Sequence, residues 1–127
     1  MDNPKILLVE DDLLSQQYVK SVLGKRYHIL AAIGAEEARE ILRHHSVQMI
    51  LMDLTLKGTE DGIQLTRHIR NTPGISRLPI IAVTAHVFSK DRRNALDAGC
   101  NDFLPKPVSP QNLLYTVEKW LYVFSLN

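Results

Sequence analysis

Five short apolar runs, each stopping abruptly at a polar residue and each followed by a stretch with helical spacing, constrain this chain more than any other feature. Lys5 to Val9 runs into Glu10-Asp11-Asp12, as a buried parallel strand does when its carboxyl end meets solvent. Leu14, Tyr18 and Val22 then recur every fourth residue up to Gly24, a helix stop. Tyr27 to Ala32 is the second run, and after Gly34 the residues Ala38, Ile41 and Leu42 share a helical face that ends near His44-His45. Val47 to Met52 is the third run and ends in Asp53. Lys57-Gly58-Thr59-Glu60 reads as a loop, and Asp61 as the N-cap of a helix carrying Leu65 and Ile69 and finished by Thr72-Pro73-Gly74.

Leu78 to Val83 is the fourth run, ending in Thr84-Ala85. Ser89 is placed as the cap of a helix that carries Leu96 and closes at Gly99. Phe103-Leu104 makes a short fifth strand before Pro105-Lys106-Pro107. Ser109 followed by Pro110 opens a last helix with the stripe Leu113, Leu114, Val117, Leu121 and Phe124. Strands alternating with helices predict an α/β fold: right-handed crossovers give a parallel sheet covered on both faces. A chain of 127 residues has room for one such domain, expected over 1–127.

Composition narrows the classes. Fifteen Lys and Arg against fourteen Asp and Glu leave a formal charge of +1, no overall reason for binding DNA or an anionic membrane. The absence of a long apolar run and the acids near the N-terminus predict a cytoplasmic protein with neither membrane span nor signal peptide. The lone Cys100 has no partner for an internal disulfide and is expected to be a small packed residue.

In a sheet of this kind, functional groups gather outside the carboxyl ends of the strands. Those ends deliver Glu10, Asp11, Asp53, Thr84 and Lys106 to one rim. Three crowded carboxylates stay ionised only beside positive charge, and oxygen ligands without His or Cys favour a hard cation, Mg²⁺ being the usual one. Mg²⁺ together with Lys106 brings the rim close to neutral. A carboxylate in this setting can attack phosphorus, and Asp53, projecting alone from a central strand, is the best nucleophile. Thr84 and Lys106 would then hold phosphoryl oxygens.

In order and spacing, ILLVEDD at 6–12, ILMD at 50–53, DG at 61–62, PIIAVTA at 79–85, AGC at 98–100 and FLPKP at 103–107 resemble the receiver domain of two-component response regulators, over essentially the whole chain. The resemblance implies a flavodoxin-like doubly wound (βα)5 fold with strand order 2-1-3-4-5. It implies Asp53 as phosphoacceptor, Glu10 and Asp11 as the acidic pair, and the Thr55 backbone carbonyl as a further Mg²⁺ ligand. Thr84 is the switch hydroxyl, Phe103 the switch aromatic and Lys106 the essential lysine, followed by a cis bond to Pro107. Thr55 and His86, flanking the water path, would set how long the phosphoryl group survives.

The implied partners are a sensor histidine kinase or histidine phosphotransfer protein as donor and an unidentified downstream protein, not DNA or a membrane. Output is expected from the face of the fourth helix, fifth strand and fifth helix, where Tyr115, Trp120, Tyr122, Val123 and Phe124 exceed the needs of one buried stripe. The expected state is a monomer or a weak phosphorylation-dependent dimer. Such a chain is not a turnover enzyme: it phosphorylates itself from the donor and loses the group again. An aspartyl phosphatase of the haloacid dehalogenase type would want a second acid two residues after the nucleophile, where Thr55 stands, and no GxxxxGK[ST] loop occurs. Two departures mark the chain: Lys57 where the family often has Pro, and a loop to Asp61-Gly62 one residue longer than common, expected to be mobile.

Overall fold

The computed structural model describes residues 3–85 and 88–126. Five strands, β1 (Lys5–Val9), β2 (His28–Ala32), β3 (Met49–Met52), β4 (Ile80–Thr84) and β5 (Asp102–Pro105), alternate with α1 (Leu13–Leu23), α2 (Ala35–His44), α3 (Gly62–Arg70), α4 (Ser89–Ala98) and α5 (Pro110–Ser125). The strands pair in parallel in the order β2-β1-β3-β4-β5. Tyr27, Val47 and Leu78, assigned above to strands, lie just before them.

Successive side chains of a strand face opposite sides, so each strand feeds two cores. Leu7, Val9, Ile50, Met52, Ile80 and Ala82 enter one layer with Ala38, Leu65, Ile69 and Ala95 from α2, α3 and α4. Ile6, Leu8, Met49, Leu51, Ile81 and Val83 enter the other, with Val19 and Leu23 of α1 and Leu113 and Val117 of α5. β3 is buried throughout, which is why its run reads as continuously apolar rather than alternating.

Two helices differ from the sequence reading. In α1 the four-residue spacing of Leu14, Tyr18 and Val22 is not the buried face: Gln16, Val19 and Leu23 are buried, and Leu14 and Tyr18 are exposed. Two overlapping stripes were available, and packing of α1 against α5 and the sheet selects the other one. The N-cap of α4 is Phe88, not Ser89. No hydroxyl caps this end; the Asp91 carboxylate accepts the Phe88 N–H at 3.2 Å instead. The other caps stand as read. Asp61 and Gln64 form a reciprocal capping box on α3, Ser109 accepts from the Asn112 N–H at 3.1 Å, and Gly99 closes α4 at φ 120°.

α5 partly absorbs the apolar excess noted above. Trp120 is half-buried, with its indole N–H donating to Asp102 at 2.9 Å, and Phe124 packs tilted against it with ring centroids 6.2 Å apart. Tyr115, Tyr122 and Val123 remain exposed. No helix among the described residues is long and apolar enough to cross a membrane.

Candidate functional site at the strand ends

Register decides which polar residues meet. Val9 pairs with Met52, and the Asp53 N–H donates to the Val9 carbonyl at 3.0 Å, so Glu10 and Asp53 leave adjacent strands side by side. Thr84 pairs with Pro105, and the Lys106 N–H donates to the Thr84 carbonyl at 2.8 Å, which brings the lysine to the same rim. Glu10, Asp11 and Asp53 each offer a carboxylate oxygen, and those oxygens lie within 4.8 Å of one another. Lys106 Nζ reaches Glu10 Oε1 at 2.5 Å and Asp53 Oδ2 at 3.3 Å. The Lys106-Pro107 bond is cis.

Asp53 is buried, with Oδ1 accepting from both the Thr55 N–H at 3.0 Å and the Thr55 hydroxyl at 2.9 Å. Burial pushes its carboxyl upward, but the bonds from Thr55, the contact with Glu10 and the Lys106 charge outweigh this and hold it below the ordinary aspartate value. Glu10 goes the other way: burial, its largest influence, and the neighbouring Asp53 raise it, the bonds from Lys106 and the Asp12 N–H lower it, and the net shift is upward. The two neighbouring carboxyls are thus moved in opposite directions, Asp53 toward the ionised form. Burial alone would lower Lys106, yet its two acidic partners raise it, so the ammonium stays charged.

Thr84 is fully buried at the end of β4, and Phe103 is buried on β5 beside Ala82. His86 lies outside the described residues. Four contributors were not among the site residues read from the sequence. The buried Gln16 donates to the Glu10 carbonyl at 2.6 Å, fixing the backbone of the acidic pair. The Lys57 N–H donates to Asp11 Oδ2 at 3.1 Å, so the longer loop, expected to be mobile, is tied to the rim. Gly62 abuts Asp53 itself: a Cβ there would lie 2.2 Å from the Asp53 carbonyl oxygen. Arg39 on α2 holds Glu60 of the same loop. Away from the rim, Cys100 is buried near the Thr66 hydroxyl, and burial pushes its thiol up to about 11, as suits a packed residue.

A carboxylate-only ligand set beside one lysine fits a hard divalent cation better than a soft one. Beside it a groove of about 580 Å³, whose apolar wall includes Leu14, Tyr18, Val83, Pro107 and Val108, leads to Asp53 and Lys106.

Comparison with known proteins agrees with this geometry. The family model described as the response regulator receiver domain matches residues 6–118. The chain is 32% identical over 121 residues to sensor protein GacS of Pseudomonas syringae pv. syringae, covering 92% of this chain but only 13% of that protein. It is also 32% identical to an uncharacterized 14.6 kDa protein of Leptolyngbya boryana, covering 94% of this chain and 91% of that one. Among solved structures, the receiver domain of a sensor histidine kinase from Pseudomonas aeruginosa, with a magnesium ion coordinated in its active-site cleft, superimposes with a TM-score of 0.85. It is 34% identical, with 94% of this chain and 98% of that one covered.

Proposed function

Because the chain belongs to the response regulator receiver domain family of two-component signalling, we propose that it accepts a phosphoryl group on Asp53 from a phosphohistidine. The donor is a sensor histidine kinase or a histidine phosphotransfer protein. The observation that carries this reading is the geometry of the rim: the Glu10, Asp11 and Asp53 carboxylate oxygens lie within 4.8 Å of one another, with Lys106 bonded to both Glu10 and Asp53.

In the transfer, an Asp53 carboxylate oxygen attacks phosphorus, the P–N bond to the donor imidazole breaks, and its electron pair returns to the ring nitrogen. Lys106, already within reach of Asp53, pairs with a phosphoryl oxygen, and the Thr84 hydroxyl takes another. Glu10, Asp11, Asp53 and the Thr55 carbonyl are the residues that would hold Mg²⁺. When bound, it neutralises charge between the acids and the incoming phosphate. The Thr55 hydroxyl, bonded to Asp53, and His86 then influence access of water and hence the phosphoryl lifetime. The chain is a phosphoacceptor and not a turnover enzyme.

Converting Asp53 into an acyl phosphate replaces one charge by about two. Thr84 and Lys106 are drawn toward it, Phe103 follows, and the balance of two pre-existing states at the α4-β5-α5 face shifts. The exposed Tyr115, Tyr122 and Val123 on α5 suit a protein partner whose affinity changes with that shift.

The test uses phosphoramidate and Mg²⁺ with wild type and Asp53→Asn, read by intact-protein mass. Wild type is expected to gain one phosphoryl group that is stable in acid and lost to hydroxylamine, and Asp53→Asn none. Labelling of the mutant to the wild-type extent would remove Asp53 from its role.

A further inference from the structure

Among the described residues, the exposed ion pairs join partners that are each at least half exposed: Arg26–Glu118, Arg43–Glu40 and His44–Glu40. Arg39–Glu60 differs. Its side chains are 29% and 19% exposed, and one guanidinium nitrogen, Nη2, stands 2.5 Å from Glu60 Oε1 and 2.7 Å from Oε2. The pair joins α2 to the loop between β3 and α3, the same loop whose Lys57 N–H donates to Asp11 and whose Thr55 donates twice to Asp53.

Between the buried Leu56 and the α3 cap Asp61, this loop exposes Lys57, Gly58 and Thr59 and turns at Gly58 with φ 111°. Glu60 is the one side chain of that stretch with a described ion pair. We propose that Arg39 is a positioning residue for the cation site: by gripping Glu60 it holds the loop so that the Lys57 N–H stays on Asp11 and Thr55 stays on Asp53. The inference rests on the Mg²⁺ reading above and adds to it a residue outside the rim. Its physical basis is preorganisation. A loop already ordered before the cation arrives does not charge its ordering entropy against binding, whereas a released one does.

Mg²⁺ is titrated by calorimetry into the unphosphorylated full chain, with the Thr55 and Lys57 amide signals followed by NMR. A partly exposed ion pair corresponds to about a three- to fivefold effect, so Arg39→Ala and Glu60→Ala should each raise the Mg²⁺ Kd by roughly that factor. The double alanine variant should lose no more than either alone, because both singles break one contact. The exchange Arg39→Glu with Glu60→Arg should return to within about twofold of wild type, a recovery that mere loss of helix packing would not give. In the single variants, the Lys57 amide should lose its protection from solvent exchange while α3 amides keep theirs. If Arg39→Ala does not fold, Arg39→Lys and Glu60→Gln give the same comparison with a smaller rise.

Variants that bind Mg²⁺ as wild type does, or singles whose losses multiply in the double, would overturn the inference and leave the metal reading standing. Wild type that takes up no Mg²⁺ would overturn both.

Discussion

Gly62→Ala should damage the site from behind, without touching any acid, lysine or hydroxyl. Gly62 is buried as the first residue of α3, and its Cα lies against the end of β3. An added Cβ would sit 2.2 Å from the Asp53 carbonyl oxygen, 2.7 Å from Leu54 Cα and 3.0 Å from the Asp53 carbonyl carbon. All three are backbone atoms, so no rotamer change relieves the clash. An ordinary contact begins near 3.4 Å, and either α3 or the Asp53 backbone must therefore give way by about 1 Å.

Overpacking of this kind costs about 1–3 kcal/mol. Helix propensity works against that by up to about 1 kcal/mol, because alanine replaces glycine in a helix. A net loss of about 1–2 kcal/mol should, for a chain of this size, lower Tm by about 3–10 °C, measured by circular dichroism without Mg²⁺. The second readout is the initial rate of phosphoryl labelling from phosphoramidate. A shift of about 1 Å at a reacting carboxylate costs on the order of a hundredfold, so labelling should slow by one to two orders of magnitude at a temperature where the variant is fully folded. A variant with wild-type Tm and rate would refute the packing argument. A lowered Tm with an unchanged rate would mean that α3 absorbs the clash, and would refute the claim that Gly62 seats Asp53.

Lys106→Ala leaves the buried Glu10 without its cation and should cost about 2 kcal/mol at pH 7, below the figure for a wholly buried pair because the lysine is a quarter exposed. Glu10 is already raised by burial, so without Lys106 the native state holds its proton better than the unfolded chain. Stability lost at neutral pH should then return as pH falls through the raised native value toward the ordinary carboxylate range, visible as a smaller urea-midpoint difference from wild type at pH 5 than at pH 7.5. In wild type the raised Lys106 contributes with the same sign in a more alkaline range: fully below the ordinary lysine value and lost as pH climbs through the raised one. Gly34→Ser should stabilise by about 0.2–0.5 kcal/mol, seen as a small rise in Tm. Gly34 is the N-cap of α2 in an extended conformation, a Cβ there meets nothing within 4 Å, and Glu37 stands ready to complete a capping box.

The rim was readable because each of its members ends a local pattern: an apolar run stops, and the next polar residue marks where the strand leaves the sheet. Strand order was not readable that way. It came from the resemblance, since nothing in Lys5–Val9 says that it lies between β2 and β3. α1 shows where local periodicity fails: Leu14, Tyr18 and Val22 are as regular as Gln16, Val19 and Leu23, and a polar residue on the second stripe hides it from any hydropathy argument. Gln16 is buried because its amide has the Glu10 carbonyl to bond, a partner visible only after folding. Arg70 is the same case on a larger scale. Its guanidinium donates to the carbonyls of Ser76, Leu78 and Gly99 and to the Asn101 side chain, tying the start of β4 to the turn before β5. Its position at the end of α3 reads only as a favourable helix-terminal charge.

The same distinction separates naming the acids from ranking them. Glu10 and Asp53 look alike in sequence, each the first acid after an apolar strand, yet folding moves one up and the other down. Burial raises both, but on Asp53 it is outweighed by the bonds from Thr55, two residues along, by the Glu10 side chain and by Lys106, whereas on Glu10 the bonds from Lys106 and the Asp12 N–H do not offset it. A nucleophile that must be ionised beside a neighbour that resists ionisation is therefore made by tertiary contacts rather than by residue type. Thr55 carries the local part of that bias and Lys106 shares the long-range part between both acids. Removing the Thr55 donors should accordingly narrow the split between the two carboxyls, whereas removing Lys106 should raise both.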